Sequence, residues 1–166
     1  IGVDNIDCNT ATERGVIVVN TPSGNATTTA EHAIAMLMAL SRHIPQADKS
    51  MYGGKWEKSK FTGIEVTGKV LGVFGYGNIG KITADRAQGL KMRVMVFDPF
   101  LTAEIAAKNG VELVTKEKLF ERADYITVHV PLNDSTRNLI NKNTIETMKT
   151  GVRIINCARG GIVNES

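Results

Sequence analysis

Several things that would mark a specialised class are scarce in this chain. Aromatic residues fill only 5% of its 166 positions, with one Trp, three Tyr and five Phe. Cations barely outnumber anions, 20 Lys and Arg against 17 Asp and Glu, and they are scattered. A nucleic-acid surface needs clustered cations interleaved with aromatics, so no such partner is expected. Long apolar runs are also missing. The longest, Ala33 to Leu40, has eight residues, whereas a membrane-spanning helix needs about 20. No membrane association or secretory leader is expected. There are only two cysteines, Cys8 and Cys157, far apart in sequence. They form no Cys-x-x-Cys and no metal-ligand spacing, so the expectation is reduced thiols in a cytoplasmic protein and no metal.

What remains is an ordinary globular composition, 42% hydrophobic and 22% charged. The length suits one domain with a real core, or one domain plus part of another. The chain opens on Ile1, read as mid-strand and without an initiator Met. It stops at Asn164-Glu165-Ser166, where a helix is about to begin, so a piece of a longer polypeptide is expected.

Residues 1 to 20 hold two short apolar runs around a polar, helix-like turn from Asn9 to Gly15. A loop follows at Thr21-Pro22-Ser23-Gly24-Asn25. Thr28-x-x-Glu31 reads as a capping box opening a helix over Ala30–Ile44, apolar on almost every face. Such a helix is either core or one whose outer face meets a second subunit. Gly53-Gly54 and the polar run to Lys60 form a connector. From Lys69 onward strands and helices alternate. The strands are Val70–Phe74, Arg93–Phe97, Val111–Val114, Tyr125–Val130 and Val152–Asn156. The helices are Ile79–Gly89, Ala103–Asn109, Lys116–Arg122 and Thr144–Lys149. Strands this uniformly apolar belong in a parallel sheet covered on both faces, which predicts a doubly wound α/β fold.

The most telling stretch runs from Lys69 to Asp98. An apolar strand leads into Gly75-x-Gly77-x-x-Gly80, and an acid, Asp98, closes the next strand eighteen positions on. Each glycine answers a separate need: Gly75 the tight turn off the strand, Gly77 the approach of backbone to a pyrophosphate, Gly80 the close packing of the next helix. That helix offers free N–H groups and a positive dipole end to phosphate. The bare pattern is weak in a chain with sixteen glycines. Here it sits between a strand and a helix, with the acid in place, and this context makes it a dinucleotide-binding fingerprint of the Rossmann type. A carboxylate at Asp98 can accept from the ribose hydroxyls and repel a 2′-phosphate, so NAD is expected over NADP. The plainer role, capping the turn at Asp98-Pro99, is compatible with this one.

With those residues in view, the chain resembles the D-2-hydroxyacid dehydrogenases over essentially its whole length. Four further segments carry the resemblance: Gly2-Val-Asp-Asn-Ile-Asp7, Asn20-Thr-Pro-Ser-Gly-Asn25, His129-Val-Pro-Leu132 with Thr136-Arg-Asn-Leu-Ile140, and Asn156-Cys-Ala-Arg-Gly-Gly161. The resemblance implies that Arg159 contacts the carboxylate and 2-oxo group of the substrate, a task suited to a planar guanidinium. The alternative for Arg159 is a structural pairing with a nearby acid. By the same resemblance Asn78 and Ile79 touch the pyrophosphate together with Gly75, Gly77 and Gly80. His129, Val130 and Pro131 pass beside the adenosine half near Asp98 and Pro99, and Cys157 and Ala158 lie near the nicotinamide. Asn78 stands where the family often has Arg, which removes one phosphate contact. His129 is read as a cofactor-lining residue, because the family's catalytic His and its partner Glu come later than Arg159 and outside this chain. His32 and His43 are read as packing or surface residues.

The resemblance also implies domains. Residues 1–22 would be the tail of a substrate domain with its hinge, and 23–166 the NAD-binding domain. Such a piece is expected to bind NAD yet turn over no substrate. Within the family, the wording of Gly24-Asn25, Gly54-Lys55-Trp56 and Asn156 to Gly161 points to a phosphoglycerate-oxidising branch in L-serine synthesis. Glyoxylate or hydroxypyruvate reductases, D-lactate dehydrogenases and formate dehydrogenases are siblings that the fold alone does not separate. An NAD-sensing transcriptional corepressor of the same fold is the alternative from another class. A non-NAD nucleotide binder is a third, against which Asp98 speaks. A homodimer or higher homo-oligomer, formed through the long helix, is the expected assembly.

Overall fold

The computed structural model describes residues 2–166, so the mid-strand reading of Ile1 lies outside the described residues. A five-stranded parallel sheet forms its centre, in the order β3-β2-β1-β4-β5. The strands are β1 (Val70–Phe74), β2 (Arg93–Phe97), β3 (Glu112–Leu113), β4 (Tyr125–Val128) and β5 (Arg153–Asn156). The helices are α1 (Cys8–Glu13), α2 (Ala26–Arg42), α3 (Ile44–Tyr52), α4 (Asn78–Gly89), α5 (Ala103–Lys108), α6 (Lys116–Arg122) and α7 (Lys142–Ile145). The doubly wound architecture expected from the alternation is therefore present.

The sheet reads as apolar because both of its faces are covered. All five residues of β1 are buried. Leu71 and Val73 point to a layer holding Ala33 and Leu37 of α2 and Ala84 and Ala87 of α4. Val70 and Phe74 point the other way, to Leu119 and Phe120 of α6, Ile126 and Ile140. Between them Gly72 leaves room for Leu119, whose Cδ2 would stand 2.5 Å from an added Cβ. Each fully buried aliphatic or aromatic side chain contributes roughly 1.5–3 kcal/mol, so the central strand and α6 anchor the fold. Tyr125 is fully buried, and its hydroxyl is satisfied by Ser41 Oγ at 2.9 Å.

Several boundaries differ from the sequence reading, each for a local reason. Helix α2 starts at Ala26 with Asn25 as its N-cap, and that cap makes no side-chain hydrogen bond. Thr28 is thus inside the first turn, and the capping box expected there is not the one used. A true capping box forms at Asn141 and Thr144, which starts α7 at Lys142 rather than Thr144. The long apolar helix stops at Arg42, where His43 takes a left-handed conformation with φ 54°. The chain then restarts as α3, a helix that the sequence reading does not include, with a proline in its first turn. The burial of α2 is one-sided: Ala26, Ala30, Ala33, Leu37 and Ser41 form the inner stripe, while Met36 and Leu40 are exposed. The strand read over Val111–Val114 contracts to Glu112–Leu113, as suits the sheet's edge.

Nothing between residues 2 and 25 is buried, and Val16, Ile17 and Val19 are exposed. No helix among the described residues is long and apolar enough to cross a membrane.

Candidate nucleotide-binding cleft

In this strand order the chain reverses direction across the sheet between β1 and β4, and open α/β sheets bind ligands outside the carboxyl ends of the strands at such a point. The Gly-rich turn leaves β1 there. Gly75 holds φ +87°, and a Cβ on it would stand 2.6 Å from the carbonyl oxygen of His129. Only glycine fits that turn. A Cβ on Gly80 would run into the carbonyl oxygen of Gly75, so the third glycine lets α4 approach the turn. Nothing lies within 4 Å of a Cβ built on Gly77, which therefore faces open space. Gly77 is also the N-cap of α4 and provides no side-chain cap. The free N–H groups of the first turn, at Asn78, Ile79 and Gly80, are left without an internal partner. This is the arrangement that receives a phosphate.

Two hollows flank the turn. The larger, about 520 Å³, includes Gly75, Gly77, Asp98, Pro99, Phe100 and Lys116 in its lining. The smaller, about 220 Å³, includes Asn25, Thr29, Ile79, Cys157, Ala158 and Arg159. His129, Val130 and Pro131 line both and so make the wall between them. The site residues read from sequence thus converge on one edge of the sheet. Asn78 and Gly80 line neither hollow, although their chain neighbours Gly77 and Ile79 do.

Asp98 has a task the sequence reading gave only in part. Its Oδ1 accepts from the amide of Phe100 at 2.8 Å, the turn cap that was expected. Its Oδ2 accepts from the amide of Tyr76 at 2.6 Å, inside the Gly-rich turn itself. The carboxylate therefore ties the end of β2 to the phosphate loop. Each oxygen retains a second lone pair, so a ribose hydroxyl can still be accepted.

His129 is largely buried, and burial alone lowers its pKa from 6.5 to about 4. It is neutral at physiological pH. Its Nε2 is 3.0 Å from Thr127 Oγ1. Nδ1 is buried and has no hydrogen-bond partner among the described residues. The Cys157 thiol is pushed up by burial, which keeps it protonated and unreactive near neutral pH.

At the far end Arg159 pairs with an acid. Its Nε and Nη2 donate to Asp4 Oδ2 at 2.9 and 2.7 Å, and Nη1 donates to the Ala158 carbonyl at 3.0 Å. Both side chains are substantially exposed, so the pair is weak, of order 0–1 kcal/mol. Gly2 permits the approach, since a Cβ on it would stand 2.6 Å from Arg159 Nη2. Sequence reasoning gave no role to Asp4, Phe100, Lys116, Asn25 or Thr29. Asp4 lay inside a quoted motif but carried no signal of its partner 155 residues away.

A strand, a glycine turn with an uncapped helix start, and an acid bound to that turn define a dinucleotide fold. Comparison with known proteins narrows it. Residues 34–166 match the family model described as the D-isomer specific 2-hydroxyacid dehydrogenase NAD binding domain. The chain belongs to this family. D-3-phosphoglycerate dehydrogenase of Archaeoglobus fulgidus is 52% identical over 166 residues, all of this chain and 32% of the relative. That of Bacillus subtilis is 53% identical over the same span, again 32% of the relative. The chain thus spans about a third of the length of these relatives. Among solved structures, the NAD-dependent formate dehydrogenase of Staphylococcus aureus in complex with NAD superposes with a TM-score of 0.85 at 31% identity, covering 99% of this chain and 49% of that one.

The cleft fits the cofactor of this NAD-binding family on three observations. The start of α4 is uncapped, Gly77 faces open space, and Nδ1 of His129 is an orphaned polar atom at the cleft wall.

Proposed function

We propose that this chain is the cofactor-binding part of an NAD-dependent dehydrogenase that oxidises 3-phosphoglycerate to 3-phosphohydroxypyruvate, a step in L-serine biosynthesis. The observation that carries the reading is identity above 50% across the whole chain to D-3-phosphoglycerate dehydrogenases, joined to two adjoining hollows, one holding Asp98 and the other Arg159, on either side of the Gly-rich turn. Bound NAD supplies the hydride acceptor. The chain's residues hold and orient the reactants. Gly75, Gly77, Asn78, Ile79 and Gly80 present backbone to the pyrophosphate. Asp98 and Pro99 take the adenosine ribose, and His129, Val130 and Pro131 wall the groove. Cys157 and Ala158 border the nicotinamide. Arg159 pairs with the substrate carboxylate and stabilises charge on the reacting oxygen, exchanging Asp4 for the incoming acid.

His129 does not move the substrate proton. Burial lowers its pKa to about 4 and so leaves it neutral, and among the described residues its ring meets Thr127 Oγ1 and no carboxylate that would hold a charge. That step falls to a Glu and a His outside this chain, as its coverage of a third of its relatives supports. Residues 1–22 are the tail of a substrate domain, in keeping with the absence of buried residues among residues 2–22, and 23–166 form the NAD-binding domain. The assembly is a cytoplasmic homodimer formed through α2 and α3, where Met36, Leu40, Ile44, Met51 and Tyr52 are exposed beside Trp56, itself 78% exposed. Light scattering that shows a monomer at high concentration refutes the dimer. The cofactor reading is tested by titrating NADH into the purified chain and assaying 3-phosphoglycerate oxidation. Saturable NADH binding without turnover is expected. Failure to bind, or turnover by this chain alone, refutes it.

A further inference from the structure

The nucleotide cleft contains a cation that neither the fingerprint nor the family description requires. Lys116, the first residue of α6, lines the same 520 Å³ hollow as Asp98, Pro99 and Phe100. It also lines the groove beyond, together with Phe97 and Asp98. Lys116 is half-buried, and among the described residues its ammonium has neither an ion-pair partner nor a hydrogen bond. The acid at that sheet edge, Glu112, is committed to Arg122 by two hydrogen bonds at 2.6 and 3.0 Å. Glu117 lines only the outer groove. Asp98, by contrast, is fixed. Both of its oxygens are held by backbone amides, so it can neither swing toward Lys116 nor retreat from a ligand.

A rigid acid and an unpaired cation at the ribose end of one cleft act in opposite directions on a 2′-phosphate. We infer that Lys116 reads the 2′ position of the adenosine ribose, so that this chain accepts NADP as a weaker second cofactor and its preference for NAD is a balance between Asp98 and Lys116. The inference rests on the cofactor reading above and deepens it. The acid disfavours the 2′-phosphate by like-charge repulsion. The ammonium, whose three donors rotate freely, offers it a charge-assisted hydrogen bond. Toward NAD the two do not conflict, because the ribose hydroxyl is neutral.

Calorimetric titration of NADH and NADPH into the purified protein tests this without any turnover. In the unaltered protein NADPH is expected to bind measurably and more weakly than NADH. Lys116→Gln is expected to weaken NADPH about tenfold more than NADH, the loss of one charge-assisted hydrogen bond to the 2′-phosphate. Lys116→Arg keeps the cation and is expected to restore NADPH binding. As smaller probes, adenosine 2′,5′-bisphosphate follows NADPH and 5′-AMP follows NADH. An unchanged ratio of NADPH to NADH affinity in Lys116→Gln overturns the inference, as does NADH binding with no detectable NADPH binding in the unaltered protein. Loss of both ligands already in the unaltered protein overturns the cofactor reading instead, which separates the two failures.

Discussion

Replacing Asp98 with alanine removes two hydrogen bonds before any ligand arrives. Oδ2 and Oδ1 accept from the amides of Tyr76 and Phe100 at 2.6 and 2.8 Å. A hydrogen bond to a charged group is worth about 1.5–3 kcal/mol net. The Phe100 amide belongs to a 91% exposed residue and can turn to water, so its loss costs little. Tyr76 is buried, and its amide is left unpaired in the Gly-rich turn. The apoprotein is therefore expected to lose about 2 kcal/mol, visible as a lower urea midpoint at unchanged slope. Ligand binding then suffers twice: the ribose loses its acceptor, and the phosphate loop must be re-ordered. A loss of about 3 kcal/mol in NADH affinity, on the order of 100-fold, is expected by calorimetry. Asp98→Asn, whose amide oxygen keeps one of the two bonds, falls between. A carboxylate serving the ribose alone makes a different prediction, with NADH weakened and the apoprotein's stability untouched. That outcome, or unchanged affinity for both NADH and NADPH, refutes the reasoning.

Leu119→Ala, at a fully buried side chain beside Gly72, is expected to cost about 2–5 kcal/mol in urea unfolding, because the strand on one side cannot collapse into the space. Gly80→Ala drives a methyl into the Gly75 carbonyl and is expected to abolish NADH binding in calorimetry, while Gly77→Ala, which faces open space in the apoprotein, leaves its thermal midpoint within about a degree and weakens only the ligand. The pKa of His129 is lowered to about 4 in the folded state against 6.5 in the unfolded chain. The unfolded chain thus binds the extra proton between those values, and the stability that His129 contributes above pH 6.5 is lost as pH falls toward 4, to the extent of roughly 3 kcal/mol. Urea midpoints of the unaltered protein and His129→Gln across that range check this, and parallel pH profiles for the two refute it.

The glycine fingerprint and the sheet were legible because their physics is local. β1 advertises two buried faces by carrying no polar residue, and Gly75 and Gly80 occupy positions whose geometry excludes any Cβ. Helix ends were less legible. Thr28 and Glu31 have capping-box spacing, yet Asn25 lies closer to the loop and starts the helix earlier. The break at His43 rests on a left-handed residue that sequence does not announce. The double engagement of Asp98 was half visible, since the turn cap follows from Asp-Pro and the bond to Tyr76 depends on how β1 and β2 end side by side. Lys116 and Asp4 were invisible for the same reason. Each meets the site across the fold, and no spacing rule links Asp4 to Arg159.

That last contact gives the opening segment a use. Asp4 presents a carboxylate oxygen to Nε and Nη2 of Arg159, the side chain proposed above to receive a ligand carboxylate. The chain thus carries its own stand-in for a carboxylate ligand, held by a segment with no core of its own. On the role proposed for Arg159, an arriving carboxylate would exchange for that of Asp4 and free the segment, so the position of residues 2 to 7 would read out whether the arginine is occupied.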